Sequence, residues 1–388
     1  MKILIIAGNL DQSAPGIVFQ RIVNGLSKLH EVHVIASHLD SSISLFSNDL
    51  RIIQKQKTNS KFDKLSMILF KRNLVDNLWG KKVAKSIHPK ENYDLIFGLI
   101  SFGHYEGLFG GLELRKKLLS PLAIYSVDAI PAPEGWMPKD YFYYSLKSMI
   151  RKNLSKTNAM FSSNDKMLNY QMSLMINKKK IFSSTVYTPS IGTFKILPPS
   201  KESENIFLYT GGIYGPRKLD YLFQAFENLI QKYPFARLWF VGTKISKQFL
   251  ERYSEELQNK VSVYPFSDDL ESYYQKATAL IDIDADLPDD IFISSKIVNY
   301  LMVDRLIISE TGEDSPSRLL FSGIESISQC NHSAKELYLA MENAITCADI
   351  NYESRKVIID KFHVNSVCKK LSEDLKNFLS FNKKNYEN

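Results

Sequence analysis

The sequence has too few cysteines for a disulfide framework and no segment long enough to span a membrane. Its 388 residues include three cysteines, Cys330, Cys347 and Cys368, with no CxxC pair among them. An odd cysteine count without paired spacing predicts a reducing, cytoplasmic compartment. No unbroken apolar run approaches the roughly 18 residues of a spanning helix. The opening "MKILIIAG" runs directly into a strand–helix pattern, so we predict a core strand there rather than a signal peptide.

The chain also lacks the spacings of zinc sites and the motifs of nucleic-acid-binding domains. Its seven histidines form no HxH or HExxH pattern, so no zinc site is predicted. The net charge is +7, and residues 1–190 carry 26 Lys and Arg against 14 Asp and Glu, whereas the remainder carries 23 against 28. A basic first half suits an anionic membrane or a phosphorylated acceptor. No nucleic-acid partner is predicted, because no binding motif accompanies the charge.

Two successive series of strand and helix signals are present. "KILIIAG", a helical run and "EVHVIAS" form a βαβ pattern, which "NIFLYTGG", a second helical run and "ARLWFVG" repeat. We predict an α/β fold of two Rossmann-like domains facing across a cleft, with ligands beyond the carboxyl ends of the strands. The predicted bounds are 1–190 and 205–360 for the domains, 191–204 for a linker and 361–388 for a final helix that packs back on the first domain.

The turn "YTGGIYGPRKLD" (209–220) combines glycines with basic residues after a strand of the second domain. Gly211 and Gly212 have no side chain, so a ligand can approach the backbone closely. Arg217 and Lys218 can neutralise a diphosphate. The pattern is neither GxGxxG nor a P-loop. The alternative interpretation is a tight turn with solvated basic side chains.

The stretch "DIFISSKIVNYLMVDRLII" (290–308) predicts a short, serine-capped helix followed by a buried strand. Ser294 and Ser295 begin the helix, and Lys296 lies in its first turn, where it opposes the helix dipole. A bound anion would relieve that placement, because helix N-termini hold phosphates well. The alternative is a capped core helix whose lysine points to water.

Three aspartates recur at strand spacing in "DIDADLPDD" (282–290). Asp282, Asp284 and Asp286 are expected on one face, as solvated side chains at the end of a strand. An EF-hand is excluded, because Leu287 and Ile293 occupy positions that need glycine and glutamate. Three carboxylates can bind Mg²⁺ or Mn²⁺, but we predict no metal here.

Loops after strands of the first domain carry further polar residues. His104 lies in "SFGHYEG", and Asp128 and Glu134 lie in "YSVDAIPAPEGW". A histidine or carboxylate in such a loop can accept a hydroxyl proton or orient an acceptor. The alternatives are a structural histidine and a helix-capping aspartate.

Residues 61–85 mix apolar side chains with seven Lys and Arg. A basic amphipathic helix that includes Trp79 can lie on an anionic membrane. The alternative is an ordinary surface helix.

Together these features resemble the GT-B glycosyltransferases, in particular the group called family 4-like. The resemblance covers nearly the whole chain and is most specific in "LYTGGIYGPRKLDYLFQAF" and "SSKIVNYLMVDRLII", the second being similar to the group's "SKxxEYLAxGKPVI". It implies an N-terminal acceptor domain and a C-terminal domain that binds a nucleotide-diphosphate sugar. The donor-side residues that it implies are Gly211, Gly212, Arg217, Lys218, Asp290, Ser294, Ser295, Lys296 and Asn299.

Three places depart from the pattern of that group. Asn299 stands where the group usually has a glutamate that binds the nucleotide ribose, and a neutral amide should hold a hydroxyl more weakly. The turn "NLDQSAPG" lacks the common paired glycines, and only Gly16 lies near that position. The group's Gly-Lys-Pro is replaced by Asp304, Arg305 and Leu306, where aspartate tolerates left-handed backbone.

The resulting prediction is an enzyme that moves a sugar from a nucleotide-diphosphate sugar to a hydroxyl of a saccharide or lipid-linked acceptor, in bacterial surface polysaccharide or glycolipid synthesis. It is expected to retain anomeric configuration, to need no metal or other cofactor, and to be cytoplasmic with peripheral contact at the inner membrane. Arg217 and Lys296 would stabilise the leaving diphosphate, and Asp128 or His104 would act as base if the enzyme inverts. The acceptor-side residues are Gly16, His104, Asp128 and Glu134. The alternatives are a catalytically inactive partner subunit and a nucleotide-sugar 2-epimerase on the same fold.

Overall fold

The chain forms two compact units. The computed structural model describes residues 1–56, 60–70, 73–88, 90–176, 178–190, 192–198, 204–267, 269–347 and 350–387. The first unit comprises Met1–Ile191 and Phe362–Asn388, and the second comprises Gly192–Lys361. No helix in the described ranges is both long and apolar enough to cross a membrane.

The first unit is a parallel sheet covered by helices on both faces. In the described part the strand order is β3-β2-β1-β4-β5-β6-β7, a doubly wound arrangement in which the carboxyl ends of the strands share one edge. The central strands are almost continuously apolar and buried, as expected for a sheet covered on both sides. The strands are β1 Lys2–Leu10, β2 Glu31–Leu39, β3 Asp49–Ile52, β4 Leu95–Ile100, β5 Leu122–Ser126, β6 Ala159–Ser162 and β7 Phe182–Thr185. The helices are α1 Ala14–Ser27, α2 Ser60–Phe70, α3 Leu74–Ser86, α4 Glu106–Leu118, α5 Tyr141–Leu154 and α6 Asp165–Ser173.

The second unit repeats the design with a parallel sheet in the order β10-β9-β8-β11-β12-β13. Its first helix, α7 (Asp220–Lys232), buries one apolar face that includes Leu222, Phe226 and Ile230, which is the stripe that the sequence predicts. The strands are β8 Asn205–Thr210, β9 Ala236–Val241, β10 Val261–Tyr264, β11 Ala279–Ile283, β12 Leu306–Glu310 and β13 Ile327–Cys330. The helices are α7 Asp220–Lys232, α8 Lys247–Leu250, α9 Glu255–Gln258, α10 Glu271–Lys276, α11 Ser295–Tyr300, α12 Pro316–Leu320, α13 Ala334–Thr346 and α14 Lys356–Phe362.

The last helix, α15 (Val364–Glu387), belongs to the first unit. Its buried residues join the core between α1 and the sheet, and they include Leu371, Leu375 and Phe378. Gly25 of α1 allows this close packing, because a Cβ there would lie 2.3 Å from Cys368 Sγ.

The segment predicted as a linker is largely attached to the second unit. Lys195 N donates to Met302 O (2.8 Å), and Leu197 N donates to Asp304 Oδ1 (2.8 Å). The Arg305 guanidinium donates to Pro198 O (2.8 Å). The side chains that replace Gly-Lys-Pro therefore fix residues 192–198 against the turn after α11. Residues 191 and 199–203 lie outside the described ranges.

Candidate functional site

The predicted donor-side residues lie at the carboxyl edge of the second sheet. Strands β8 and β11 are neighbours there, and the loops that follow them carry the glycine turn and the segment leading to α11. Tyr300 of α11 joins the two, because its hydroxyl lies 2.9 Å from both N and Oγ1 of Thr210 at the end of β8. Tyr300 is fully buried, so its contacts fix α11 against the turn.

Gly211 begins the turn in a conformation that favours glycine. Its φ is +81°, in the left-handed region that other residues adopt at a cost. Its N–H donates to Val241 O (2.7 Å), and a Cβ at this position would lie 3.3 Å from Lys296 Cε. Gly212 is more open, with the nearest atom to such a Cβ at 3.9 Å on Tyr214.

Two cations, Arg217 and Lys296, lie beneath this turn and share an aromatic neighbour. The Lys296 ammonium is 5.1 Å from the ring centroid of Tyr209 and 5.9 Å from that of Tyr214. The Arg217 guanidinium is 4.9 Å from the Tyr214 ring, and Arg217 is only 6% exposed. Burial and the nearby Arg217 lower the pKa of Lys296 to about 8, although Asp282 and Asp284 oppose the shift. A protein-bound anion between these cations would restore the lysine charge.

The aspartates of this edge are not solvated as expected. Asp282, Asp284 and Asp290 are fully buried, because the strand end and its loop are covered by α11 and the residues after β12. Asp284 Oδ2 accepts from Ser315 Oγ (2.9 Å), and burial together with the neighbouring Asp282 and Asp290 raises the pKa of Asp284 to about 7. Burial also raises the pKa of Asp282, against the opposing effects of Ser294, Lys296 and Arg217.

The other aspartates have defined partners. Asp290 Oδ1 accepts from the backbone N–H groups of Ile291 (2.9 Å) and Phe292 (3.4 Å). Asp286 is half-buried and pairs with Lys218 at 3.1 Å. Within the described residues no group of three or more His, Cys, Asp or Glu side chains is arranged to hold a metal ion.

The helix predicted to seat a phosphate is only six residues long. Ser294 caps it, with its hydroxyl accepting from Lys296 N (3.3 Å). So short a helix has a small dipole, so the positive charge of this site comes from Arg217 and Lys296. Three further donor-side residues, Lys218, Ser295 and Asn299, are exposed. The Lys218 ammonium pairs with Asp286 and not with the same neighbours as Arg217 and Lys296.

The predicted acceptor-side residues do not form one cluster in the first unit. His104 and Asp128 flank the same loop, where Asp128 Oδ2 accepts from Phe102 N (2.9 Å) and burial raises the pKa of Asp128. Glu134 is exposed and pairs with Lys139. Gly16 lies in the first turn of α1, where a Cβ would be 2.3 Å from Asp11 O, which gives it a packing role.

Several polar residues of the first unit were not predicted from sequence. Lys55 follows β3, and its ammonium lies 2.7 Å from Asp76 Oδ1 and 2.6 Å from Glu106 Oε1. Glu106 lies within the stretch "SFGHYEG" that follows a predicted strand, and this position was the available signal for it. Lys55 and Asp76 gave no signal, because β3 was not predicted and the partners are 21 and 51 positions away from Lys55.

Comparison with known proteins agrees with this architecture. Residues 204–282 match the family model "Glycosyl transferases group 1". That range contains the glycine turn, Arg217 and Lys218, and it ends before α11. A search of curated proteins gave no significant match.

Solved structures resemble the chain over almost its full length at low sequence identity. Anabaena HepE in complex with UDP-glucose is 13% identical with a TM-score of 0.68, covering 97% of this chain and 100% of that one. A glycosyltransferase from Rickettsia africae is 14% identical with a TM-score of 0.68, covering 97% and 98%. The lipopolysaccharide outer core galactosyltransferase WaaB is 12% identical with a TM-score of 0.64, covering 97% and 99%. The predicted fold is thus confirmed: the chain has the fold of the GT-B glycosyltransferases, and residues 204–282 of its second unit match the group 1 glycosyl transferase model.

Proposed function

We propose that the protein transfers a sugar from a nucleoside-diphosphate sugar to a hydroxyl group of a saccharide or lipid-linked acceptor in surface glycan synthesis. The observation that carries the donor assignment is a pair of cations beneath the Gly211 turn, the buried Arg217 and the partly buried Lys296. Two cations with this degree of burial are costly in the free protein, and a diphosphate would neutralise them. HepE was solved with UDP-glucose, so uridine nucleotides are the first donors to test.

In this proposal the two cations act on the leaving group. Negative charge accumulates on the diphosphate as the bond to the sugar breaks, and fixed cations in a partly dehydrated site stabilise that charge without reorganisation. Glycine at positions 211 and 212 lets the phosphates approach the backbone of the turn closely, although the Gly211 N–H is itself donated to Val241 O. Asp290, with one oxygen fixed by two backbone N–H groups, would orient the sugar.

The proposal also includes the stereochemistry of the transfer and its independence of a cofactor. We favour transfer with retention and without a metal ion, because Arg217 and Lys296 supply the charge that a divalent cation would otherwise supply. If the reaction inverts, Asp128 or His104 is the base. Gly212, Lys218, Ser294, Ser295 and Asn299 are proposed to line the donor site.

The place of action in this proposal is the cytoplasmic face of a membrane, reached through the exposed basic and apolar residues of α2. Phe62, Leu65 and Leu69 are all more than half exposed on that helix. Lipid-linked acceptors are presented at such a surface, so peripheral contact would bring enzyme and acceptor together.

The donor assignment is tested by a thermal-shift screen against UDP-, GDP-, dTDP- and CMP-sugars, followed by transfer assays. Arg217→Ala should reduce turnover at least about tenfold, equivalent to about 1.4 kcal/mol of transition-state stabilisation. Arg252→Ala is the matched control, because Arg252 is exposed and pairs with Asp220. Equal turnover in the two variants would place the diphosphate elsewhere.

The exposed Asn299 favours one alternative, a transferase-like subunit that binds a donor weakly and does not turn it over. The absence of both a nucleotide-induced thermal shift and donor hydrolysis in the purified protein would support that alternative. A 2-epimerase would instead convert the donor to a new nucleotide sugar without any acceptor, which product analysis detects.

A further inference from the structure

Two tyrosine rings lie close to the Lys296 ammonium, one buried and one exposed. The ring centroid of Tyr209, a fully buried residue of β8, is 5.1 Å from the ammonium, and that of Tyr214 in the glycine turn is 5.9 Å from it. The Tyr209 hydroxyl donates to Gly212 O (3.2 Å), so the buried ring is fixed against the turn. Tyr214 is 61% exposed, so its ring is the part of this contact that ligands can reach.

The Lys296 ammonium contacts these rings without forming an ion pair in the described part of the chain. Asp282 and Asp284 act on the ammonium through their charge alone. Asp284 Oδ2 accepts from Ser315 Oγ (2.9 Å), and neither aspartate accepts a hydrogen bond from the lysine. The lysine is therefore held by aromatic contacts, since a cation within about 6 Å of a ring centroid is attracted by the negative face of the ring.

Lys232 shows how a lysine beside a tyrosine ring is held when it has no ligand to bind. Its ammonium lies 5.4 Å from the ring centroid of Tyr233 and also 2.8 Å from Glu342 Oε1. A lysine in that arrangement has to give up a charge-assisted hydrogen bond before it can donate to another anion. At Lys296 the aromatic contact is present without the carboxylate, so the N–H donors of the ammonium stay available.

The exposed ring also contacts the second cation of the site. The Arg217 guanidinium lies 4.9 Å from the ring centroid of Tyr214, so one aromatic face serves two groups of like charge. Burial and the nearby Arg217 lower the pKa of Lys296 to about 8. Because the negative face of a ring favours the charged form of a lysine, loss of the Tyr214 ring would lower this pKa further.

We propose that Tyr214 is a positioning residue whose ring holds the Lys296 ammonium in place, so that the lysine N–H groups remain available to an anion. The proposal rests on the proposed transferase function, which identifies this anion as the diphosphate of the donor. Tyr209 contacts the same ammonium from the core, and Tyr214 completes the contact from the surface. The role requires the aromatic ring of residue 214, whereas a carboxylate at this position would occupy the same N–H groups.

The experiment measures the pKa of Lys296 in the full chain without nucleotide, by NMR of the lysine Cε groups, and then measures UDP affinity by calorimetry. The Lys296 signal is assigned by its loss in Lys296→Met, and titration near pH 8 separates it from ordinary lysines, which titrate near about pH 10.4. Tyr214→Leu removes the ring but keeps an apolar side chain, so it should lower the pKa below 8 and weaken UDP binding at least about threefold. Tyr214→Phe restores the ring, so it should restore the pKa and most of the affinity.

Tyr214→Glu distinguishes the proposed role from simple stabilisation of the lysine charge. Its carboxylate should raise the pKa of Lys296 above 8 and yet weaken UDP binding at least about tenfold, because it pairs with the ammonium. Tyr233→Leu is the matched control, since it removes the ring beside Lys232. It should leave both the pKa of Lys296 and the UDP affinity unchanged.

Three results would overturn the role of Tyr214: an unchanged Lys296 pKa in Tyr214→Leu, an equal fall of that pKa in Tyr214→Leu and Tyr214→Phe, or undiminished UDP affinity in Tyr214→Glu. Failure of the donor assignment would give a different result. If the unmodified protein binds no UDP while the pKa of Lys296 changes as expected among the variants, the result counts against the donor assignment and not against the role of the ring.

Discussion

At the residue scale, Lys296 combines a chemical role with a measurable proton equilibrium. Its pKa in the folded protein is about 8, below the 10.5 of a free lysine. Below pH 8 the charged lysine is therefore a cost to the free protein, and between about pH 8 and 10.5 this group makes the protein more stable as pH rises, because the unfolded chain binds more protons. A diphosphate beside the ammonium would reverse the shift, because it favours the charged form.

Binding of UDP should therefore take up protons near pH 8. A group of pKa 8 is half-protonated at that pH, so Lys296 should account for up to about half a proton per nucleotide bound, and affinity should fall as pH rises from 8 to 9. Calorimetry in two buffers of different ionisation enthalpy measures the uptake. Lys296→Met should reduce it, although Asp284 with a pKa of about 7 can add a smaller uptake of its own.

Lys232→Met is the control for this measurement, since Lys232 is exposed and pairs with Glu342. It should leave both proton uptake and affinity unchanged. Equal uptake in the Lys296→Met and Lys232→Met variants would mean that the diphosphate does not contact Lys296.

At the element scale, α2 and α5 together present an apolar and aromatic surface. The α2–α5 face is defined by Phe62, Leu65, Leu69, Tyr141 and Tyr144, which are each more than half exposed. The three α2 residues follow i, i+3, i+7 spacing, which places them on one side of the helix. Lys61 and Lys64 of the same helix are exposed beside this face. An apolar face flanked by lysines suits an anionic lipid surface.

The α2–α5 face should bind vesicles that contain anionic lipid. Replacing Leu65 and Leu69 together by glutamine should weaken that binding at least about tenfold, because two buried leucines each contribute about 1.5–3 kcal/mol. Cosedimentation measures the effect, and Leu339→Gln at an exposed position of α13 is the control. Vesicle binding that is unchanged in the double variant, or that does not weaken when salt is added, would contradict this assignment.

Charge reversal at Lys81 and Lys82 of α3, which are exposed, is a second test of vesicle binding. Lys71 and Arg72, which the sequence also indicates, lie outside the described residues. The expected result is weaker binding at low salt and little difference at high salt, because surface charges are screened.

The sequence predicts best those strands and helices whose burial restricts the residue types that they can contain. The central strands β1, β4 and β8 contain continuous apolar runs and β11 is apolar apart from Asp282, because both sheet faces are covered. Strands β3, β7 and β13 lie at sheet edges. The residues of β3 and β7 are at most partly buried, and β13 buries only its first and last residues, so these strands carry no such run and were not predicted. The short α11 was predicted correctly from its serine cap and apolar residues, but nothing in a short pattern indicates how weak its dipole is.

The candidate sites show the same division. The glycine turn, Arg217 and Lys296 were predicted because turn chemistry and charge are local properties of the chain. The full burial of Asp282 and Asp284 was not, since a carboxylate at a strand end is ordinarily solvated. Lys55 and Glu106 meet only through the sheet topology, which places the ends of β3 and β4 on one edge. Local pattern therefore finds the turn but not the buried ion cluster.

At the scale of the whole molecule, the two units differ sharply in charge. The first unit, Met1–Ile191 with Phe362–Asn388, carries 31 Lys and Arg against 17 Asp and Glu, and the second carries 18 against 25. The acidic unit is nevertheless the one proposed to bind a diphosphate, so that affinity must depend on the local cations Arg217 and Lys296 rather than on net charge. The basic unit suits long-range attraction to an anionic surface.

The chain leaves the first unit near residue 191 and returns at Phe362, so α15 should stabilise the first unit without affecting nucleotide binding by the second. Leu371 is fully buried in the core that α15 shares with α1, and Leu371→Ala should destabilise the first unit by about 2–5 kcal/mol. Thermal unfolding should show a transition lowered by about 5–15 °C, whereas UDP affinity measured below that transition stays unchanged. Lys369→Ala, at an exposed position of the same helix, should leave both quantities unaltered. Loss of UDP affinity in Leu371→Ala would show that α15 also supports nucleotide binding by the second unit.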